Sequence, residues 1–234
     1  MTAFSQPLPR GLIVSCQAYP GEPLFGAAHM VAMAQAALQG GAVGLRLNSP
    51  PDIAAVRAQT DAFIIGLDKR STPGSDVYIT PDCAAADAIA RAGCDYVAID
   101  ATPRPRPGGL ALADLITFIH DQLGKPVLAD VSCLEDARLA ESLGADALST
   151  TLAGYTAHGR PAMAGPDLEF LGALTQTARA PVLAEGRFWQ PAEVAQAFAL
   201  GAHAVVVGSA ITRPWEITRR FVQAGPAGER PASA

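Results

Sequence analysis

Four side chains in this sequence could move a proton if the fold brought them together. They are the amine of Lys69, the guanidinium of Arg46 and the carboxylates of Asp130 and Glu185. Each closes a short apolar run, and so do Gln17, Asp100, Thr151 and Ser209. A lysine is a weak base near neutrality unless its pKa of about 10.4 falls. A dry site and a neighbouring cation such as Arg46 would lower it, whereas Glu185 or Asp130, close and ionised, would raise it. Arg46 and Gln17 could instead stabilise oxyanion charge. A second chemistry is written in AEGR (184–187) and VGSAITR (207–213). Gly186 and Gly208 would let backbone N–H groups approach an anion, and Ser209 would open the following helix. Arg213 would add a bidentate clamp, and Arg187 joins the substrate-binding group. The bland alternative makes each polar residue a strand end reaching water and each glycine a tight turn. Eight separate segments would then share the pattern by chance.

The elements that must position these groups are short. Apolar runs at 12–17, 43–47, 63–69, 96–100, 127–131, 147–152, 182–186 and 204–209 are strand-length and nearly free of charge, as strands covered on both faces should be. Ala-rich segments with helical spacing lie between them, at 27–39, 83–92, 110–123, 134–143, 168–178, 192–200 and 215–223, with a weaker one at 51–58. Asp82, Asp167 and Thr212 suit helix caps, and Pro191 and Pro214 suit first turns. Gly41, Gly93, Gly144 and Gly201 each stop a helix before an even-numbered strand. Eight strands alternating with helices predict an α/β (β/α)8 TIM barrel in one domain, residues 1–224, with a disordered tail at 225–234. An open doubly wound sheet would want a Gly-rich turn after the first strand, and Ser15, Cys16, Gln17 and Ala18 supply none.

A barrel works at the carboxyl ends of its strands. Alternation along each strand puts Ser15 with Gln17, Gly44 with Arg46, Leu67 with Lys69, Leu128 with Asp130 and Leu183 with Glu185. If those faces point inward, all converge on one mouth. The same parity sends Asp68 to the outer face, where a buried carboxylate needs a partner that the sequence does not name.

The chain has 234 residues, 50% hydrophobic and 17% charged, with net charge −5. Its length suits one core. Its acidic balance disfavours nucleic acid as a partner. No apolar stretch predicts a membrane span, and residues 1–9 lack the apolar segment of a signal peptide. Cys16, Cys83, Cys94 and Cys133 are dispersed without a Cys-x-x-Cys, as in a reduced, cytoplasmic protein. His29, His120, His158 and His203 fall in helices or connections, never at a strand end, so no catalytic metal is expected.

Seven segments resemble one family. They are GLIVSCQ (11–17), KR (69–70), VYITP (77–81), DATPRPRP (100–107), TTLAGYT (150–156), AEGR (184–187) and VGSAITR (207–213). Together they are similar to the bacterial N-acetylmannosamine-6-phosphate 2-epimerases. The DATPRPRP and TTLAGYT runs are the most specific. The resemblance breaks at Asp68, where the family has an apolar residue, and at Ser71, where it has an acidic one. It implies inversion at C2 of N-acetylmannosamine 6-phosphate to N-acetylglucosamine 6-phosphate, in amino-sugar and sialic acid catabolism. It implies neither metal nor organic cofactor, and it suggests a homodimer. It makes Lys69 the acid/base residue, with Gln17, Arg46, Asp130 and Glu185 around the sugar and Gly186, Gly208, Ser209 and Arg213 near the phosphate. Two-base inversion would pair Lys69 with Glu185, and one-base inversion would rotate the intermediate. Other readings of the scaffold are a Schiff-base phosphosugar aldolase using Lys69, a metal-dependent pentose-phosphate epimerase, and a non-catalytic phosphosugar sensor.

Overall fold

Eight parallel strands pair in sequence order, and the last pairs with the first to close a barrel. The computed structural model of the chain describes residues 6–226. The strands are β1 (Gly11–Cys16), β2 (Gly44–Asn48), β3 (Phe63–Leu67), β4 (Tyr96–Asp100), β5 (Val127–Asp130), β6 (Ala147–Ser149), β7 (Val182–Glu185) and β8 (Ala204–Val207). The helices are α1 (Ala27–Gln39), α2 (Pro50–Arg57), α3 (Cys83–Arg91), α4 (Leu112–Asp121), α5 (Leu134–Ser142), α6 (Leu168–Thr177), α7 (Pro191–Ala199), α8 (Ser209–Thr212) and α9 (Pro214–Ala224). The expected tail lies, beyond Pro226, outside the described residues.

Strand alternation divides the apolar residues into two buried sets. Ile13, Ile65, Leu128, Leu183 and Val206 fill the barrel with Phe63 and Tyr96, whose rings sit 5.4 Å apart. Val14, Leu45, Ile64, Val97, Val182 and Val205 face outward under the helices. Small residues make room for large ones. A Cβ on Gly44 would approach Phe63 to 3.1 Å, and one on Gly66 would meet the Cys94 side chain at 2.6 Å. Such interlocking sets a cost of ~2–5 kcal/mol for truncating a large core residue.

The helix signals act as their chemistry predicts, with one exception. Asp82 accepts from the Ala85 amide and Asp167 from the Phe170 amide. Gly41, Gly93, Gly144 and Gly201 all have φ near +100°, as helix stops before even strands require. Thr212 is not a cap. It ends α8, and its hydroxyl donates to the carbonyls of Ser15 and Gly208, so α9 begins after Arg213 instead. Asp68 also finds a partner that parity did not supply. Its carboxylate accepts from Arg70 Nε at 2.6 Å, two residues along the chain, because the backbone after β3 turns back toward residue 80.

Candidate active site

A cavity of about 310 Å³ opens at the carboxyl ends of the strands. Gln17, Tyr19, Lys69, Tyr78, Thr151 and Glu185 line it together with Gly186, Arg187, Gly208, Ser209 and Arg213.

Lys69 follows β3 directly. Its amide donates to Asn48 Oδ1 at 2.8 Å and its backbone bridges to Ile79, which fixes the root of the side chain. Its Nζ donates to Gln17 Oε1 at 2.6 Å and to the Tyr19 hydroxyl at 3.0 Å. Gln17 is held in turn, its amide donating to Ser15 Oγ at 2.6 Å. Both partners of the amine are neutral. An uncharged amine that gives its two hydrogens to them keeps its lone pair for a third group.

Arg46, on the neighbouring strand, is 1% exposed and sits beneath the cavity floor. It makes a bidentate pair with Asp130, at 3.1 and 2.6 Å, and reaches Glu185 Oε2 at 3.0 Å. Thr151 Oγ1 bridges the two carboxyl groups, 2.8 Å from Asp130 Oδ1 and 3.0 Å from Glu185 Oε2. Burial opposes the guanidinium charge, but Asp130 and Glu185 outweigh it and hold Arg46 protonated more firmly than usual. Burial pushes the Glu185 carboxyl up, with Asp130 adding to the shift and Arg46 opposing it. Burial, with Asp130 and Asp100 nearby, pushes the Tyr78 phenol up to about 12, so it stays a neutral wall.

The loops after β7 and β8 complete the lining. Gly186 has φ +111°, a conformation that favours glycine, whereas Gly208 is needed for space, since a Cβ would sit 3.3 Å from that of Ser15. The Arg213 guanidinium lies between the Tyr19 and Trp215 rings, 5.3 and 4.9 Å from their centres. It hydrogen-bonds Glu22, while its Nε is buried without a partner. Arg187, at φ +59°, donates to the carbonyls of Gly165 and Ala153 and stacks 5.2 Å from the Tyr155 ring. A carboxylate-lined floor, a neutral-partnered amine and a cationic, glycine-opened rim suit proton transfer on an anionic substrate.

Comparison with known proteins decides the family. The family model described as "Putative N-acetylmannosamine-6-phosphate epimerase", NanE, matches residues 30–226. The chain belongs to the NanE family. Its likeness to individual members is close. A protein of Caldanaerobacter subterraneus named as a putative N-acetylmannosamine-6-phosphate 2-epimerase is 48% identical over 218 residues, 93% of this chain and 92% of that one. One of the same name from Shouchella clausii is 46% identical over 226 residues, 96% and 99% of the two chains. The solved N-acetylmannosamine-6-phosphate 2-epimerase of Clostridium perfringens is 43% identical, with a TM-score of 0.88 over 91% of this chain and 92% of that one. A KDPGal structure at 19% identity and TM-score 0.59 shares the fold alone.

In this NanE-family chain, eight of the ten site residues expected from sequence line the cavity: Lys69, Glu185, Gln17, Arg187, Gly186, Gly208, Ser209 and Arg213. Arg46 and Asp130 lie below it and face it through Glu185 and Thr151. Asp100, also at a strand end, turns to Thr102 and Arg104 and braces the β4 loop. Tyr19, Tyr78, Tyr155 and Glu22 were not among the expected site residues, although Tyr78 and Tyr155 lie in the VYITP and TTLAGYT runs. One more step of the Ser15–Gln17 alternation reaches Tyr19, so that residue had a signal. Glu22 had none, since its contact with Arg213 joins opposite ends of the chain.

Proposed function

We propose that this chain interconverts N-acetylmannosamine 6-phosphate and N-acetylglucosamine 6-phosphate by removing and returning the C2 proton. The observation that carries the reading is Lys69 Nζ, bound to Gln17 and Tyr19, in one cavity with Arg213 and the Gly186 and Gly208 loops. The phosphate sits against Gly186, Gly208, Ser209 and Arg213. In the open-chain sugar the C2–H bond lies next to the C1 aldehyde. Neutral Lys69 takes the C2 proton and becomes an ammonium, while the C–H electron pair moves to the C1 oxygen as an enolate. Gln17 and the ammonium face that developing charge. Glu185, which holds its proton more firmly than a free carboxyl, delivers one to the opposite face and restores the aldehyde. Arg46 and Asp130 keep Glu185 in place.

Four free cysteines among the described residues agree with a reduced cytoplasmic setting. Among those residues, no helix is long and apolar enough to cross a membrane. The net charge of −5 gives no reason to invoke nucleic acid. A homodimer is part of the reading, because α9 has no buried residue and leaves Phe221 77% and Val222 67% exposed.

The test is proton NMR of the purified protein with N-acetylmannosamine 6-phosphate in heavy water. The C2 epimer should appear with deuterium at C2. Absence of both overturns the reading, and a borohydride-trapped adduct on Lys69 would assign the amine to Schiff-base chemistry instead.

A further inference from the structure

Beside the sugar cavity, the connection from β6 to α6 (residues 153–167) crosses the start of α5, and three metal-binding side chains meet there. The Cys133 thiol, the Asp136 carboxylate and the His158 ring offer ligand atoms that all lie within 4.8 Å of one another. Local structure explains two of them. Cys133 is the N-cap residue of α5, and Asp136, three residues on, turns back toward Ser132. Asp136 Oδ2 accepts from the Ser132 amide at 3.0 Å and from its hydroxyl at 2.6 Å. His158 Nε2 lies 3.2 Å from Asp136 Oδ1, 3.3 Å from Oδ2 and 3.3 Å from Ser132 Oγ. Two N/O ligands about 2.0–2.1 Å from a tetrahedral zinc ion stand about 3.3 Å apart, so this edge already has a ligand-to-ligand spacing.

An independent feature points to the same spot. Thr156 Oγ1 is buried with no hydrogen-bond partner. A Cβ built on Gly159 would lie 2.5 Å from that oxygen and 2.6 Å from Ser132 Oγ. Gly159 therefore packs tightly against both the unpartnered hydroxyl and the serine that holds Asp136, which places Thr156 beside the three side chains. The His158 side chain is 35% exposed, which gives an ion a path in.

We propose that Cys133, Asp136 and His158 bind one zinc ion that pins residues 153–167 to the head of α5. A thiolate, an imidazole and a carboxylate form a borderline-soft set that suits zinc better than magnesium or calcium. The fourth position is left to water. Binding displaces the thiol proton of Cys133, as metal binding to a thiol requires. The pinned segment also carries Tyr155 and the Ala153 and Gly165 carbonyls that hold Arg187. Zinc thus stiffens the phosphate side of the cavity without entering the reaction.

Cobalt(II) is the probe. Full-length protein stripped by a chelator should bind one cobalt ion per chain, with a thiolate-to-cobalt charge-transfer band that zinc abolishes. Cys133→Ser should lose the band, Cys83→Ser should keep it, and His158→Gln should weaken binding ~10-fold or more. Circular dichroism of each variant checks that it is folded. Zinc should also slow amide exchange across residues 153–167. No band, a band that survives Cys133→Ser, or unchanged exchange on adding zinc would overturn the proposal.

Discussion

Arg46 and Lys69 belong to neighbouring strand segments and the same barrel mouth, yet the protein treats their charges in opposite ways. The arginine is sealed under the floor with two carboxylates, its bidentate partner Asp130 and Glu185. The lysine stands in the cavity, where its amine is hydrogen-bonded to the uncharged Gln17 and the Tyr19 hydroxyl. A cation locked between anions cannot exchange its proton, but it fixes the geometry of its partners. The amine is held in place by its hydrogen bonds to Gln17 Oε1 and the Tyr19 hydroxyl. The mouth therefore holds a paired-charge frame and, in the proposed mechanism, a proton-exchanging side, with Glu185 in both.

The largest effect should come from the exchanging side. Lys69→Ala should lower kcat ~10²–10⁴-fold and abolish C2 deuterium exchange, read by NMR in heavy water. Wild-type-like exchange would erase the contrast between the two cations. The frame should show the reverse pattern. Asp130→Ala leaves the buried Arg46 short of its main partner and should lose ~3–5 kcal/mol in urea unfolding, whereas Lys69→Met should lose about 1 kcal/mol or less. Comparable losses would mean that Lys69 is structural too.

Glu185 sharpens the comparison through pH. Burial raises its pKa, so its carboxylate form appears only above the ordinary glutamate range near 4.3. Proton return by Glu185 needs the protonated form, so the wild-type kcat should fall as pH rises through this raised value. Glu185→Gln should lower kcat and flatten that limb. An unchanged limb would move the titration to another group, including the substrate phosphate, whose second pKa is about 6. The smallest effect should be that of Tyr19→Phe, which removes one hydrogen bond to Lys69 and keeps the ring beside Arg213. A loss of ~2–10-fold in kcat/KM is expected from steady-state kinetics.

What the sequence made legible follows from locality. The helix at 27–39 was readable because its apolar spacing and the Gly41 stop are properties of one segment. Inward parity at Arg46, Lys69, Asp130 and Glu185 needed only the two-residue period of each strand. Pairing between segments was not readable. Even within one segment, strand parity gave no sign that the chain turns so that Arg70, two residues on, covers Asp68. Nothing near Arg213 says that Glu22 lies against it. Thr212 misled because its type suits a cap, while its hydroxyl is drawn to the β1 carbonyl of Ser15.

The pairing of β1 with β8 has a consequence for how the protein is made. Gly11 to Val14 find their second partner only in Ala204 to Val207, near the other terminus. A nascent chain on the ribosome therefore carries two open sheet edges until β8 has been made. A stop codon ahead of residue 204 would make that passing exposure permanent, and such fragments should aggregate, not accumulate as partial barrels.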